Sequence, residues 1–411
     1  MKVIQINTVN TGSTGKIALS IHEYLKSKNI DSYFFYGIGK NVDNNVKKFT
    51  NMFEIHIHAV LSKIFGLQGY FSIFATFRLL RIIKKINPNI IHLHNYHGSY
   101  LNFKMLLKFV KKNNIPFIIT MHDCLIFTGK CPHYSKINCQ RWKEKCGKCV
   151  QKKRYPKSLF FDFSKKILLD KKKYFNSIEN ICFVAVSDWL KNEAMKSYLN
   201  AKQIVRIYNG ININVFKPIE ANNIIEIQKK YKLQKKFVIL SVASSWNYDK
   251  GLKQLIDLSK LLTNDEIIFL VGITNELVSK LPDNIVGINK TENIHDLIDI
   301  YNMADVCISC SLEETFGLTI IEAMACGTPC VVFKSTALPE LIDDGIQGYI
   351  VEPNNIVKMY ESIEIIKKNG KKYYFNNCIN NVKRNFDVNY MNFQYFELYK
   401  RMLIRRNKKN E

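Results

Sequence analysis

Two glutamates and a glycine in the string EETFGLTIIEAMACGTP, residues 313–329, have the types and spacing to hold a phosphate-bearing ligand. Glu314 precedes a short helical pattern that starts near Gly317 and closes at Gly327, a glycine of the kind that caps helix C-termini. Glu322 lies inside that pattern. The first N–H groups of a helix have no partner in their own turn and attract anions, a diphosphate among them. Gly317 has no side chain, so a ligand would approach the backbone closely there. Carboxylates before and within the helix would take hydroxyls on either side of the phosphate.

Other clusters recur after apolar runs. Lys250-Gly251 follows the run 237–243 and precedes a helical pattern. A glycine-rich stretch, 7–16, includes Gly12 and Gly15, but it lacks the G-x-x-x-x-G-K-[ST] spacing of a phosphate-binding P-loop. His122 ends the run 117–122, and His92, His94 and His97 surround the end of 89–94. Three histidines suggest a metal, but His92 and His94 would share one strand face while His97 sits in a loop, so capping and acceptor roles fit them equally well and no metal is assigned there. Cys131, Cys139, Cys146 and Cys149 are compatible with one structural zinc. The Cys146–Cys149 pair has the C-x2-C spacing of a tetrahedral site; unlinked thiols or disulfides are the alternatives.

The 313–329 string resembles the signature of the family-4 glycosyltransferases, which have the GT-B fold, and the resemblance extends over essentially the whole chain. It implies that Glu314 contacts hydroxyls of a donor sugar and Glu322 the ribose of its nucleotide. The backbone of Phe316, Gly317 and Leu318 would hold sugar and phosphate. Lys250 matches the family's Lys-Gly pair at the donor diphosphate, where a cation stabilises charge on the departing phosphate. The family usually carries an arginine five residues earlier, and this chain has Ser245. Gly15 would stand in the glycine-rich loop, and His122 would face the donor sugar. Together these imply that Glu314, Lys250 and His122 are catalytic, and that the donor is bound by Gly15, Lys250, Glu314, Phe316, Gly317, Leu318 and Glu322. The implied reaction is hexosyl transfer from a nucleotide sugar, with a uridine-diphosphate sugar expected, and retention of anomeric configuration. A glycan or lipid-linked oligosaccharide is the expected acceptor. The segment 128–156 resembles an insertion in members that build bacterial surface polysaccharides, lipopolysaccharide and capsule among them.

Positioning these residues requires an α/β architecture. Apolar runs at 3–7, 32–37, 89–94, 117–122, 182–187 and 204–209 alternate with helical patterns such as 16–28 and 101–112. The theme restarts with 237–243, 267–272, 284–288, 305–311 and 329–333, with helical patterns at 250–262 and 295–303 between them. Two Rossmann-like domains facing one interdomain cleft are expected: an acceptor domain at 1–210 with a cysteine-rich insertion at 124–157, and a donor domain at 211–385. A terminal helix with a basic tail follows at 386–411. Ser187-Asp188 and Asn209-Gly210 read as structural, and 220–223 reads as a linker. Phe393, Tyr395, Phe396 and Tyr399 would pack the terminal helix.

The 411 residues exceed what one core ordinarily serves, and 47% of them are apolar. Lys and Arg number 60 against 35 Asp and Glu, a net charge of +25, which favours anionic partners or reflects base composition. Docking on an anionic membrane through the stretch 160–174, with Lys165, Lys166 and Lys171–Lys173, is one such use. No apolar run approaches a membrane span, and the opening MKVIQIN reads as a strand rather than a signal peptide. The expected setting is cytoplasmic, peripheral at the inner membrane face. Eleven cysteines there suggest thiols or metal ligands. No Asp-x-Asp metal motif ends a strand, so no catalytic cofactor is expected. A nucleotide-sugar epimerase or glycan phosphorylase on the same fold is an alternative. A basic nucleic-acid-binding protein is another, but no nucleic-acid recognition module is visible.

Overall fold

The computed structural model describes residues 1–40, 45–246 and 248–410, with side chains as far as Arg406 except that of Tyr248. The chain divides into two units, 1–208 joined by 391–411, and 209–390.

In the first unit the order is β1 (Lys2–Val9), α1 (Gly12–Ser27), β2 (Asp31–Ile38), β3 (Val46–Lys48), α2 (Met52–Phe65), α3 (Ile73–Ile86), β4 (Ile90–Leu93), α4 (Phe103–Lys112) and β5 (Phe117–Met121). Then come α5 (Ser164–Asn176), β6 (Ile181–Ala185), α6 (Asp188–Met195) and β7 (Gln203–Arg206). Seven parallel strands run in the order β3-β2-β1-β4-β5-β6-β7. β4, β5 and β6 are buried at every position, as strands covered by helices on both faces must be. Ser187 caps α6, its hydroxyl accepting from the Leu190 N–H at 3.1 Å.

The second unit contains α7 (Ala221–Lys230), β8 (Phe237–Val242), α8 (Leu252–Ser259), β9 (Glu266–Val271), α9 (Asn275–Val278), β10 (Ile285–Ile288), α10 (Ile294–Met303) and β11 (Val306–Ser309). It continues with α11 (Leu318–Ala325), β12 (Cys330–Phe333), β13 (Gly348–Val351), α12 (Ile356–Asn369) and α13 (Lys371–Asn385). Its six parallel strands run β10-β9-β8-β11-β12-β13. α14 (Val388–Asn410) ends the chain, and from Met391 on it belongs to the first unit.

In both sheets the strand order reverses beside the first strand, between β1 and β4 and between β8 and β11. Loops leaving the carboxyl ends of such a pair diverge and open a crevice, the usual ligand position in an open parallel sheet.

Three expectations are corrected here. Residues 220–223 are no linker, because Ala221 opens α7. The terminal helix buries Tyr395 and Tyr399, but Phe393 is 47% exposed. Lys171 is fully buried, its Nζ donating to the Thr128 carbonyl at 2.8 Å and to that of Leu125, so it offers no charge to a membrane. Burial holds its ammonium down to about 7.

Candidate active site

In the second unit the reversal between β8 and β11 brings two of the marked loops together. The loop after β8 carries Lys250, and the loop after β11 carries Glu314. Their backbones are tied, the Leu312 N–H donating to the Asp249 carbonyl at 3.1 Å and the Ser311 hydroxyl to the same oxygen at 3.3 Å. Lys250 Nζ donates to Glu314 Oε1, and both side chains keep partial exposure, 32% and 23%. Asn247, in the same loop as Lys250, lies outside the described residues; Ser245 is exposed.

Glycine is required at two points of this arrangement. Gly251 has φ +81°, and a Cβ there would stand 2.4 Å from the Cys310 carbonyl oxygen. The absence of that carbon lets the Lys250 loop lie against the end of β11. Gly317, at φ +115°, is the N-cap of α11 and turns the chain from the Glu314 loop into the helix. Phe316 is buried against Phe386, with ring centroids 5.9 Å apart, and anchors the turn. Leu318 is half-buried at the helix start.

Two residues that the sequence did not single out fix the glutamates. The Thr336 hydroxyl accepts from the Glu314 N–H at 2.8 Å and donates to the Glu314 carbonyl at 2.6 Å. Glu314 is thereby held through its backbone, and its carboxylate is left for Lys250. Tyr301, buried in α10, donates its hydroxyl to Glu322 Oε2 at 2.7 Å. Burial, then the Glu322 charge, push the phenol well above its usual range, so it remains a donor. Neither partner adjoins its glutamate in sequence, and no local motif marks either.

The first unit places His92 in β4 and His94 and His97 after it, beside its own reversal, and His122 after the neighbouring β5. His122 Nε2 lies 3.2 Å from His94 Nδ1, and His94 Nε2 lies 3.0 Å from Gln5 Oε1. The Gln5 oxygen is an acceptor, so His94 carries its proton on Nε2. His94 Nδ1 then accepts from His122 Nε2–H, which makes Nδ1 the acceptor nitrogen of His122. Burial keeps both rings neutral, holding His122 at about 4 and His94 well below its ordinary value. Behind them His92 spans the Thr120 hydroxyl at 2.8 Å and the Tyr399 hydroxyl of α14 at 2.7 Å. His97 pairs with Asp123 at 3.1 Å. Gly15 sits inside α1, where a Cβ would meet the Asn10 carbonyl carbon at 2.5 Å. The close approach at Gly15 is therefore made by the protein's own backbone.

The cysteine-rich segment lies between β5 and α5. Cys131, Cys139, Cys146 and Cys149 all line one cavity of about 30 Å³, together with Tyr134 and Trp142. The Gly129 N–H donates to Cys146 sulfur and the Gln151 N–H to Cys149 sulfur. Cys131 donates to Cys149; this and the N–H bond hold Cys149 down to about 7 while Cys131 is pushed up. Among the described residues none of the four is in a disulfide, and no three His, Cys, Asp or Glu side chains stand as a preformed metal-holding group.

Comparison with known proteins agrees with this geometry. Residues 15–215 match a family model described as Glycosyltransferase Family 4, and residues 223–384 match one described as Glycosyl transferases group 1. A protein of Escherichia coli K12 named for a colanic acid biosynthesis glycosyl transferase is 23% identical over 359 residues, 83% of this chain and 85% of that one. The crystal structure of a glycosyltransferase from Rickettsia africae superposes with a TM-score of 0.68 at 22% identity, covering 98% of both chains. That of Anabaena Alr3699/HepE in complex with UDP has a TM-score of 0.68 at 16% identity, over 97% of this chain and 100% of that one. Both structural likenesses fix the fold, which is GT-B.

Proposed function

We propose that this chain, which belongs to the family-4 glycosyltransferases, moves a sugar from a uridine-diphosphate sugar to a glycan or lipid-linked acceptor of a bacterial surface polysaccharide, with retention of configuration. The observation that carries the reading is the Lys250–Glu314 pair beside the start of α11. An anion at the helix start meets backbone N–H groups and the Lys250 cation, and a sugar attached to that anion meets the Glu314 carboxylate. The acceptor class and pathway rest on the E. coli relative's name. The UDP complex of the Anabaena protein supports the choice of nucleotide.

The anomeric carbon–oxygen bond breaks as its electrons pass to the diphosphate, and Lys250 stabilises that charge. The acceptor hydroxyl attacks the same face, and its proton passes to the departing phosphate oxygen. His122, neutral, is read as an acceptor for a sugar hydroxyl. A panel of nucleotide sugars screened by thermal stabilisation tests the donor, and acceptor-dependent release of nucleoside diphosphate tests transfer. Release that is indifferent to acceptor, or a product of inverted configuration, overturns the reading.

Glu322→Ala separates the glutamates' roles. Its expected effect is about tenfold or more weaker donor binding, the loss of a hydrogen bond to a charged group, with a smaller change in turnover. Titration of donor against the variant checks this, and unchanged affinity would remove Glu322 from the ribose.

A structural zinc in the cysteine segment is a second proposal. It is supported by four thiols on one cavity, one of which, Cys149, is held down to about 7; burial pushes the Cys146 thiol up to about 11, so a metal would have to displace its proton. Closing a tetrahedral site would require the metal to draw the thiols together. Metal analysis of purified protein should give about one zinc per chain, lost in the Cys146→Ser, Cys149→Ser double variant. Protein free of metal, or with these sulfurs paired as disulfides, would falsify the assignment.

A further inference from the structure

The exposed faces of α2 and α3 carry a surface that sugar transfer does not use. Helices packed on a sheet ordinarily turn polar residues outward. Here Phe53 is 74% exposed and Phe74 is 75% exposed, and Ile57 and Val60 of α2 and Phe77 of α3 are also exposed. On the opposite faces Ile55 and His58 of α2, and Ala75, Leu79 and Ile83 of α3, are buried. The outward stripes are therefore second apolar faces and not part of the core.

The two stripes and a neighbouring loop are held together. Arg78 of α3 pairs with Glu54 of α2, and Ser72 before α3 meets His58 of α2 at 2.6 Å. Beyond α2, the Leu159 N–H donates to the Lys63 carbonyl at 2.8 Å, and the Phe161 ring stacks on Phe65 at 5.7 Å. Phe160, next in this loop, is 68% exposed. Large apolar side chains exposed together on neighbouring elements mark an interaction site.

Charge selects the occupant. The apolar stripes are flanked by exposed Lys63, Arg81, Lys84 and Lys85. The one acid on either helix is Glu54, which Arg78 already neutralises. A second copy of the chain would oppose these cations with themselves, whereas a negatively charged bilayer surface would attract them. No described helix is long and apolar enough to cross a membrane, so such helices lie in the interface with aromatic rings inward and basic groups at the headgroups.

We propose that α2, α3 and the Leu159–Phe161 loop dock the protein on an anionic lipid bilayer. Lys171, which the sequence offered for this purpose, takes no part.

The test is co-sedimentation of the full chain with phosphatidylcholine vesicles, with and without phosphatidylglycerol. It needs neither donor nor acceptor, so its outcome is independent of the proposed activity. Binding is expected to the phosphatidylglycerol vesicles only, weakening as salt shortens the screening length from ~8 Å to ~3 Å. Phe53→Ser with Phe74→Ser should weaken it about tenfold or more, the loss of two buried rings. Lys84→Gln with Lys85→Gln should weaken it at least about fivefold. All of these positions are exposed, and an unchanged thermal midpoint confirms that each variant is folded. Equal binding to both vesicle types, binding to neither, or variants that bind like the parent would overturn the proposal. So would a concentration-dependent dimer that Phe53→Ser and Phe74→Ser abolish, because it would assign the face to a second copy.

Discussion

Glu314→Gln and Lys250→Ala should each lower transfer by ~10²–10³ while leaving the fold intact, the usual cost of removing a charge contact aimed at a transition state. The geometry separates chemistry from stability at this pair. Glu314 is fixed by its backbone through Thr336, and neither side chain is deeply buried. A partly exposed ion pair contributes only ~0–1 kcal/mol to folding, so neither substitution should move the thermal midpoint far. Thr336→Val gives a graded control. It removes both hydrogen bonds to the Glu314 backbone and leaves the carboxylate present but loosely held, so its turnover should fall between parent and Glu314→Gln. Single-turnover rates with saturating donor decide the matter. Near-normal turnover in Glu314→Gln or Lys250→Ala would remove the pair from the reaction.

The parts of this site that were legible in the sequence are those carried by local signals. Gly317 and Gly327 punctuate a helix, and the apolar runs before Lys250 and Glu314 are strands whose ends lie at a reversal of strand order. Tyr301 and Thr336 reach their glutamates from other elements, so no window of the sequence contains both partners. The same is true of Gln5 behind His94 and of Tyr399 behind His92. Short strands escaped for a different reason. β3 has only three residues, too few for a periodicity to register, and β13, Gly348–Val351, lies outside the runs marked in the sequence. Lys171 misled because the lysines beside it are exposed, and only the fold shows which one of a basic run turns inward. Gly15 illustrates the opposite ambiguity: a glycine beside a ligand loop answers to the Asn10 backbone.

The buried histidines of the first unit should make it much more sensitive to acid than the second. Burial holds His92 at about 3, His58 and His122 at about 4, and His94 well below its ordinary value of 6.5. In the unfolded chain each titrates near 6.5, so between there and its folded value the unfolded state binds more protons. Stability therefore rises with pH across that window, and it is lost as pH falls from about 6.5 toward 4. Each histidine fully inside the window contributes about 1.4 kcal/mol per pH unit. His92, His94 and His122 also repel one another when charged, so their protons should be taken up together as the network opens. Of the nine histidines, only His295 lies in the second unit. Aspartates held low by their partners, among them Asp123 and Asp170 in the first unit and Asp265 in the second, act in a lower range, below about 3.9. Trp142 and Trp189 report the first unit and Trp246 the second, so variants keeping one set or the other follow each by fluorescence. The first unit's unfolding free energy should fall steeply between pH 6.5 and 4 while the second stays nearly level. His92→Gln, able to keep hydrogen bonds to Thr120 and Tyr399, should remove about one proton from the slope. Parallel slopes for the two units, or a slope unchanged in His92→Gln, would show that the histidines are not the groups that acid attacks.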